Sequence, residues 1–424
     1  MKKRALCGVW CRWRVALVLL LTYTYGTPHA SPLTFNEALA LALRDAPALA
    51  TNTAQIDAAQ QAAIPAGELP DPTLAMGLDN LPIEGPDRYT LSRDFMTMRR
   101  IGIMQQFPNR AKRAARIVAA RGRVELAVVE SEITRLTVLR ETAVAWITRD
   151  SVEQQLHYIA ALFDENRLLA AAVQARLAAG QGMATEVVMP RQEAAMIDER
   201  RDALQTQRAQ AIAALRRWIG AAAELPLDGT APDWPIDHTT LPHTLYKHPD
   251  LAALASQAHV LDAEVAEARA AKHPDWGLEL AYQNRDAQFG DMVSLQVSVD
   301  LPLFTASRQN PQIAAKRAER LALDGERETT RREHAAELEM QLAEHQRLSN
   351  AITRQHEVIV PLAGEKVTLA LAAWRGGKGT LTELIAARSE RINSELKAIA
   401  LEGEQRQLAA RLHYAYGYTS GEQP

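Results

Sequence analysis

Several groupings in this sequence hold side chains of the kind that chemistry uses. The stretch Gly376-Gly-Lys-Gly-Thr380 frames a lysine with glycines. A phosphate-binding loop needs a serine or threonine after the lysine and a glycine five positions before Gly377, between a strand and a helix. Here Gly379 follows the lysine, position 372 is alanine and the preceding stretch is helical in pattern, so no phosphate loop is assigned. His334, His345 and His356 recur every eleven residues, which puts them on one helix face. They lie about 16 Å apart along it at 1.5 Å per residue. They therefore cannot share one ion at bond lengths of about 2 Å, and they read as a row facing water or a lumen. His238, His243, His248 and His259 read as ordinary surface histidines.

Met96, Met98 and Met104, beside Arg99 and Arg100, carry thioethers, soft ligands suited to Cu(I) or Ag(I). At alternate strand positions Met96 and Met98 face one side, so they are candidate ligands or plain lipid or core contacts. No metal site and no cofactor is assigned. The sequence contains no G-x-S-x-G or H-E-x-x-H string, and it is not expected to be an enzyme.

The elements that position these residues repeat. Gly180, Gly182, Thr185 and Glu186 correspond to Gly377, Gly379, Thr382 and Glu383, each pair 197 positions apart (377 − 180 = 197). G-x-G-x-x-T-E reads as a helix stop followed by a helix start. A glycine takes the left-handed cap, and the threonine then caps the next helix with glutamate in its first turn. Two such bends in register make an internal repeat of helical hairpins. Ala46-Pro47-Ala48-Leu49 answers His248-Pro249-Asp250-Leu251, Leu69-Pro-Asp-Pro72 answers His273-Pro-Asp275, and Gly220 answers Gly417. The expected organisation is a signal at 1–30, a first repeat at 31–224, a linker at 225–242 and a second repeat at 243–424.

Within each repeat the period changes from helical to two and back. Thr34 and Glu37 predict a capping box ahead of an alanine-leucine helix. Leu278, Leu280 and Tyr282, then 293–301, alternate apolar with polar residues. The first repeat offers Leu74, Met76 and Leu78, then a less regular run from Phe95 through Ile101 and Ile103 to Phe107. This predicts two strands of about nine to eleven residues per repeat, joined by a polar loop. Beyond Pro108, Val129, Ile133, Leu136, Ala143 and Ile147 follow a 4,3 spacing that Val152, Leu156, Ile159 and Phe163 resume after a phase shift. A helix from there to Gly180 spans about 105 Å, longer than a compact domain is wide. The second repeat predicts its counterpart from about Gln312 to Gly377 with a kink at Pro361, and return helices run from Thr185 to about Trp218 and from Thr382 to about Tyr416.

The 424 residues carry a net charge of −3 and are 47% hydrophobic, enough for a core and without the basic excess of a nucleic-acid binder. A positive start, an apolar run at 15–21 and small residues at Pro28-His-Ala30 read as a cleaved secretory signal. Both cysteines, Cys7 and Cys11, precede its apolar core, so neither a lipid anchor nor a disulfide is expected.

A signal, long hairpins and four membrane-length strands pose a geometric problem. Four strands cannot close a barrel, and open edges are not tolerated in lipid. Eight strands from two chains fill their own interior, whereas twelve from three leave a lumen, which favours a homotrimer. With Leu33-Thr-Phe-Asn-Glu-Ala-Leu39, Asp45-Ala-Pro-Ala-Leu49, the two bends and the junctions Gln106-Phe-Pro108 and Asp300-Leu-Pro-Leu-Phe304, the chain resembles the TolC family of outer-membrane efflux proteins.

That resemblance implies a mainly α chain with a membrane β-barrel: a trimer with a twelve-stranded barrel in outer-membrane lipid, continued by a periplasmic helical tunnel. It implies docking to an adaptor (membrane fusion) protein and an inner-membrane pump of the resistance-nodulation-division type. It makes Gly180, Gly182, Thr185, Gly377, Gly379 and Thr382 docking residues at the tip. It makes Glu186, Glu383, Trp374 and Lys378 aperture candidates, with Gly379 standing where a well-known member carries a gating basic residue. Leu69-Pro-Asp-Pro72, Asp79-Asn-Leu-Pro82 and 93–100 are most similar to the heavy-metal branch (cobalt-zinc-cadmium or copper-silver). The expected function is a passive exit duct for heavy-metal cations. The same duct serving drug efflux or type I protein secretion is the first alternative, and a periplasmic coiled-coil scaffold without a pore is the other.

Overall fold

The structure is a computed structural model that describes residues 32–417. The expected signal, with Cys7 and Cys11, lies outside the described residues. In chain order the elements are β1 (Leu33–Thr34), α1 (Phe35–Asp45), α2 (Pro47–Ala63), β2 (Thr73–Asp79), β3 (Met98–Phe107), α3 (Arg110–Ala178) and α4 (Met189–Ile219). Then follow β4 (Leu227–Asp228), the short α5 (Leu241–Thr244), α6 (Pro249–Ala270), β5 (Trp276–Asn284), β6 (Met292–Val299), α7 (Gln309–Arg354), α8 (Val360–Arg375) and α9 (Leu381–Leu412). The second repeat thus retraces the first: a helix, two strands, a very long helix, a bend and a return helix.

Local chemistry explains the joints. Thr34 and Glu37 cap α1 reciprocally: the Thr34 backbone N–H donates to the Glu37 carboxylate at 3.0 Å, and the Glu37 N–H donates to the Thr34 hydroxyl at 3.3 Å. Pro47 does more than end α1. It opens α2 at the first position, where its missing N–H costs nothing. Asn109 caps α3 by accepting from the Lys112 N–H, and its amide reaches Asp275 at the start of β5, which locks one strand-to-helix junction to the other repeat. The 69 residues of α3 extend about 104 Å at 1.5 Å each. Its partner α7 starts at Gln309, three residues earlier than the sequence suggests. The kink expected at Pro361 is a π-helical turn over Gln355–Ile359, placed so that the proline sits just inside the start of α8 and its absent N–H breaks no ladder.

The four long strands form one antiparallel sheet in the order β2-β3-β5-β6, with β2 and β6 at its edges. They are 7, 10, 9 and 8 residues long, so β3 and β5 have the expected nine to eleven and only the edge strands β2 and β6 fall short. The run from Phe95 does not begin as a strand. Phe95 and Met96 lie in the preceding loop, where the Asp94 carboxylate accepts the Met96 N–H at 2.9 Å in an Asx-type turn, and the ladder starts at Met98.

The core of the helical body lies where the repeats meet. Phe35, Leu39, Trp146, Leu215 and Tyr414 bury together, and the edge of the Phe35 ring meets the Trp146 indole at 5.5 Å. The segment 225–242 joins that core rather than looping free of it. Its β4 pairs in parallel with β1, and Trp234 packs on Phe35 and stacks on His413. No described helix is long and apolar enough to cross a membrane.

Candidate functional site: two hairpin tips and a two-faced sheet

Both tips close in the same way. Gly180 and Gly377 have φ of +71° and +70°, the left-handed region that costs a side-chain-bearing residue about 1 kcal/mol or more. At the first tip Gln181 N–H donates to the Arg176 carbonyl and Gly180 N–H to that of Leu177, both at 2.9 Å. At the second, Lys378 N–H donates to Ala373 at 2.9 Å and Gly377 N–H to Trp374 at 3.2 Å. Each pair is a complete Schellman motif, which satisfies carbonyls the helix end would leave bare.

The helix starts differ from expectation. Neither Thr185 nor Thr382 is a cap: Thr382 lies inside α9, and Thr185 lies inside a 3₁₀ turn over Ala184–Val188. A glutamate can reach back to the cap only from three positions on, so the cap must stand three before Glu383 rather than one. That residue is Thr380, whose N–H donates to the Glu383 carboxylate at 2.9 Å while its hydroxyl accepts from the Glu383 N–H at 3.2 Å. These bonds, the backbone one first, hold the Glu383 carboxyl below its usual range. The position 197 earlier is Met183, which has no hydroxyl. Glu186 still accepts the Met183 N–H, at 3.3 Å, so only half of the box exists there. Both tip carboxylates therefore turn back onto their own backbone.

Gly182 and Gly379 occupy tight corners. A Cβ on Gly182 would lie 2.9 Å from the Glu186 carboxylate, and one on Gly379 would lie 2.9 Å from Ala373 Cβ. Lys378 is exposed, whereas Trp374 is only 3% exposed and packs with Val173, Val367, Leu381 and Leu384. The Arg176 guanidinium lies 4.7 Å from its ring centre and donates to its carbonyl, so the end of α3 is fastened to the end of α8.

Farther from the tips, a buried charged cluster joins the two hairpins. Arg388 of α9 donates to Glu193 of α4 at 2.8 Å, Asn166 of α3 donates to the same carboxylate at 2.7 Å, and Arg391 donates to Glu165 at 2.8 Å. This cluster was not identified from the sequence, yet a signal was present. Glu193 interrupts the stripe Pro190-Ile197-Leu204, and Arg388 interrupts Leu381-Leu384-Ile392. A charge on a core stripe asks for a buried partner.

The histidines also find partners. His345 meets His238 at 3.3 Å and His356 meets Glu402 at 2.6 Å. His248, expected at the surface, is largely buried, with its ring 3.8 Å from that of His334. Burial, and then the neighbouring His334, push its pKa down to about 4. The carboxylate of Asp250 lies 2.9 Å from His334. The sequence separates His334 from His248 and Asp250 by more than eighty positions, so no spacing could have paired them.

The sheet has two unlike faces. Opposite residues share a face, so Met76, Ile101, Tyr282 and Val293 form one row and Leu74, Ile103, Leu280 and Leu295 the next. Phe107, Trp276 and Val299 end that face nearest the helices. Apart from Arg99, Asn284 and Gln105 it is apolar, and it is exposed. The other face carries Met98, Arg100, Met104 and Glu279, with Gly102, Ala281 and Ser294 small enough to let Arg100 reach Glu279. Met96 is not on it.

Residues 241–418 match the family model described as outer membrane efflux protein. A search of the curated proteins gives no match. Among solved structures the chain is similar to the outer membrane protein VceC of Vibrio cholerae, with 20% identity, a TM-score of 0.75 and coverage of 90% of this chain and 95% of that one. It is similar to CusC, described with transmembrane channel formation, at 15% identity and a TM-score of 0.77, over 90% and 91% of the two chains. It is also similar to the MtrE outer membrane channel of Neisseria gonorrhoeae, at 16% identity and 0.69, over 90% and 88%. Residues 241–418 therefore carry the sequence signature of outer membrane efflux proteins, on a fold that nine-tenths of this chain shares with solved outer-membrane channels.

Proposed function

We propose that this chain is one subunit of a trimeric outer-membrane channel that conducts substrate passively from an inner-membrane pump and a periplasmic adaptor to the exterior. The observation that carries this reading is the sheet: one exposed apolar face, one polar face and two bare edges, β2 and β6. In lipid each edge must be paired, and pairing β2 of one subunit with β6 of the next closes a twelve-stranded barrel without other parts. Tyr282 toward one end of the apolar face and Trp276 with Phe107 at the other stand where aromatic girdles meet the two interfaces. The helices beneath supply the periplasmic tunnel and the tips its docking end, with Gly180, Gly182, Gly377 and Gly379 at the contact and Lys378, Glu186 and Glu383 nearest the aperture. The cargo we assign is heavy-metal cations, supported by the likeness of the strand-flanking segments to that branch of the TolC family.

Native mass spectrometry of detergent-purified protein should give a trimer, and the protein should fractionate with outer membranes. Arginine placed at Leu280 or Leu295 should cost about 2 to 4 kcal/mol at mid-depth and impair assembly, whereas arginine at Ser294, on the other face, should be tolerated. A stable detergent monomer, or indifference to charge at both lipid positions, overturns the barrel. Deletion should sensitise cells to divalent or monovalent soft metals; sensitivity to drugs alone overturns the cargo and leaves the channel standing.

A further inference from the structure

We propose that His248, Asp250 and His334 form a binding site for a zinc-like divalent cation that staples the start of α6 to the middle of α7. One nitrogen from each imidazole and one oxygen from the carboxylate all lie within 4.8 Å of one another. Ligands bonded tetrahedrally at about 2 Å sit about 3.3 Å apart, so each atom needs to move by less than about an ångström. The Asp250 carboxylate oxygen lies beside the nitrogen edges of the two rings, 2.9 Å from His334 Nε2 and 3.7 Å from His248 Nδ1. The only bond His248 Nδ1 must give up is a long one, accepted from the Asp250 N–H at 3.3 Å.

The surroundings fit an ion rather than a bare polar cluster. The far nitrogen of His334 faces Glu337 at 3.9 Å, beyond hydrogen-bond reach as it stands, so closing that gap on binding would let a second carboxylate orient the imidazole. Asp250 and Glu337 outweigh the one nearby guanidinium, Arg140, which is itself paired with Glu141 at 3.0 Å. The three side chains open into a cavity of about 220 Å³ walled by Pro249, Leu136 and Tyr416, with room for an ion and a water in the fourth position. Two imidazoles and a carboxylate are a borderline set, which selects Zn²⁺ or Co²⁺ over Mg²⁺ or Ca²⁺. The inference is independent of the cargo assignment, because the cavity is built from a single chain at the level where the repeats join.

The test uses full-length detergent-purified protein without a histidine tag, stripped with a chelator and titrated with Co²⁺. One Co²⁺ per chain should bind with a visible d–d absorption, and Zn²⁺ should displace it. Asp250→Asn and His334→Gln should each weaken binding at least a hundredfold, and Glu337→Gln about tenfold. His345→Gln, in the neighbouring histidine pair, should change nothing. Zn²⁺ should raise the melting temperature of the native protein and not that of Asp250→Asn. A native protein that takes up no Co²⁺ overturns the site whatever the variants do. So does uptake that survives Glu337→Gln, Asp250→Asn and His334→Gln undiminished.

Discussion

The two hairpin tips end their first helix identically and begin their second differently. The second tip turns directly into α9 through the Thr380–Glu383 box and rests on the buried Trp374. The first passes through a 3₁₀ turn before α4 starts at Met189, with Met183 and Val188 exposed and the half-buried Leu177 where its counterpart has the indole. Gene duplication supplied two copies of one bend. Divergence at positions 183 and 177 left one bend fully capped over a buried indole and the other half capped. In the proposed trimer the six tips would alternate in surface chemistry, so an adaptor docked there as proposed would meet two kinds of socket rather than six equal ones.

The largest way to break this contrast is Trp374→Ala. Removing a buried indole costs about 3 to 5 kcal/mol, felt most at the second tip and also at the end of α3 that packs on it. Hydrogen exchange should rise most across 367–387 and less across 177–190, whose Val187 and Met189 touch the same cluster; an equal rise would mean that the tips are one cooperative unit. Next in size is Gly377→Val or Gly180→Val, each penalised by about 1 to 2 kcal/mol in the left-handed cap and adding bulk at the contact. Trimer and barrel should persist while cross-linking to the adaptor and efflux-dependent resistance fall. Unchanged cross-linking in the double variant at normal protein levels would remove the tips from the docking surface.

A reciprocal exchange sharpens the comparison. Thr380→Ala should cost about 1 kcal/mol at the second tip, and Met183→Thr should gain a comparable amount at the first by completing its box. Local exchange rates at the two tips should converge. The smallest effect is on pH. Because the folded Glu383 carboxyl titrates below its usual value, its contribution is fully present above the unfolded value and is lost as pH falls through the lowered one. The protection factors of the Thr380 and Glu383 amides should fall on acidification through that range, and Glu383→Gln should abolish the dependence.

Much of this was readable from local chemistry. The glycine bends, the Thr34 box, the four strands and the long helices follow from capping residues and periodicity, which act over a few positions. What local pattern misses is reach. A threonine beside glutamate, as at Thr382, has the look of a cap, but the back-reaching bond needs three residues and selects Thr380. Met96 fell outside β3 because Asp94 captures its N–H first. The pairs His248–His334 and Glu193–Arg388 join segments 86 and 195 positions apart (334 − 248; 388 − 193), and only the assembled hairpins bring them together.

The small parallel pairing of β1 with β4 has a consequence for biogenesis. Leu33 meets Leu227, 194 positions later (227 − 33), and the same core closes over Trp234 and Tyr414. Loop closure over such a span adds only about 0.6 kcal/mol per doubling of length, so the finished protein hardly feels it. Under the proposed export to the periplasm, a chain crossing from its N-terminus would present Phe35 and Trp146 long before the residues that cover them, and the core would be complete only when Tyr414 arrived. A chain cut short before that seam would leave Phe35 and Trp146 without their Tyr414 cover, so an intact aromatic core would report a chain made to full length.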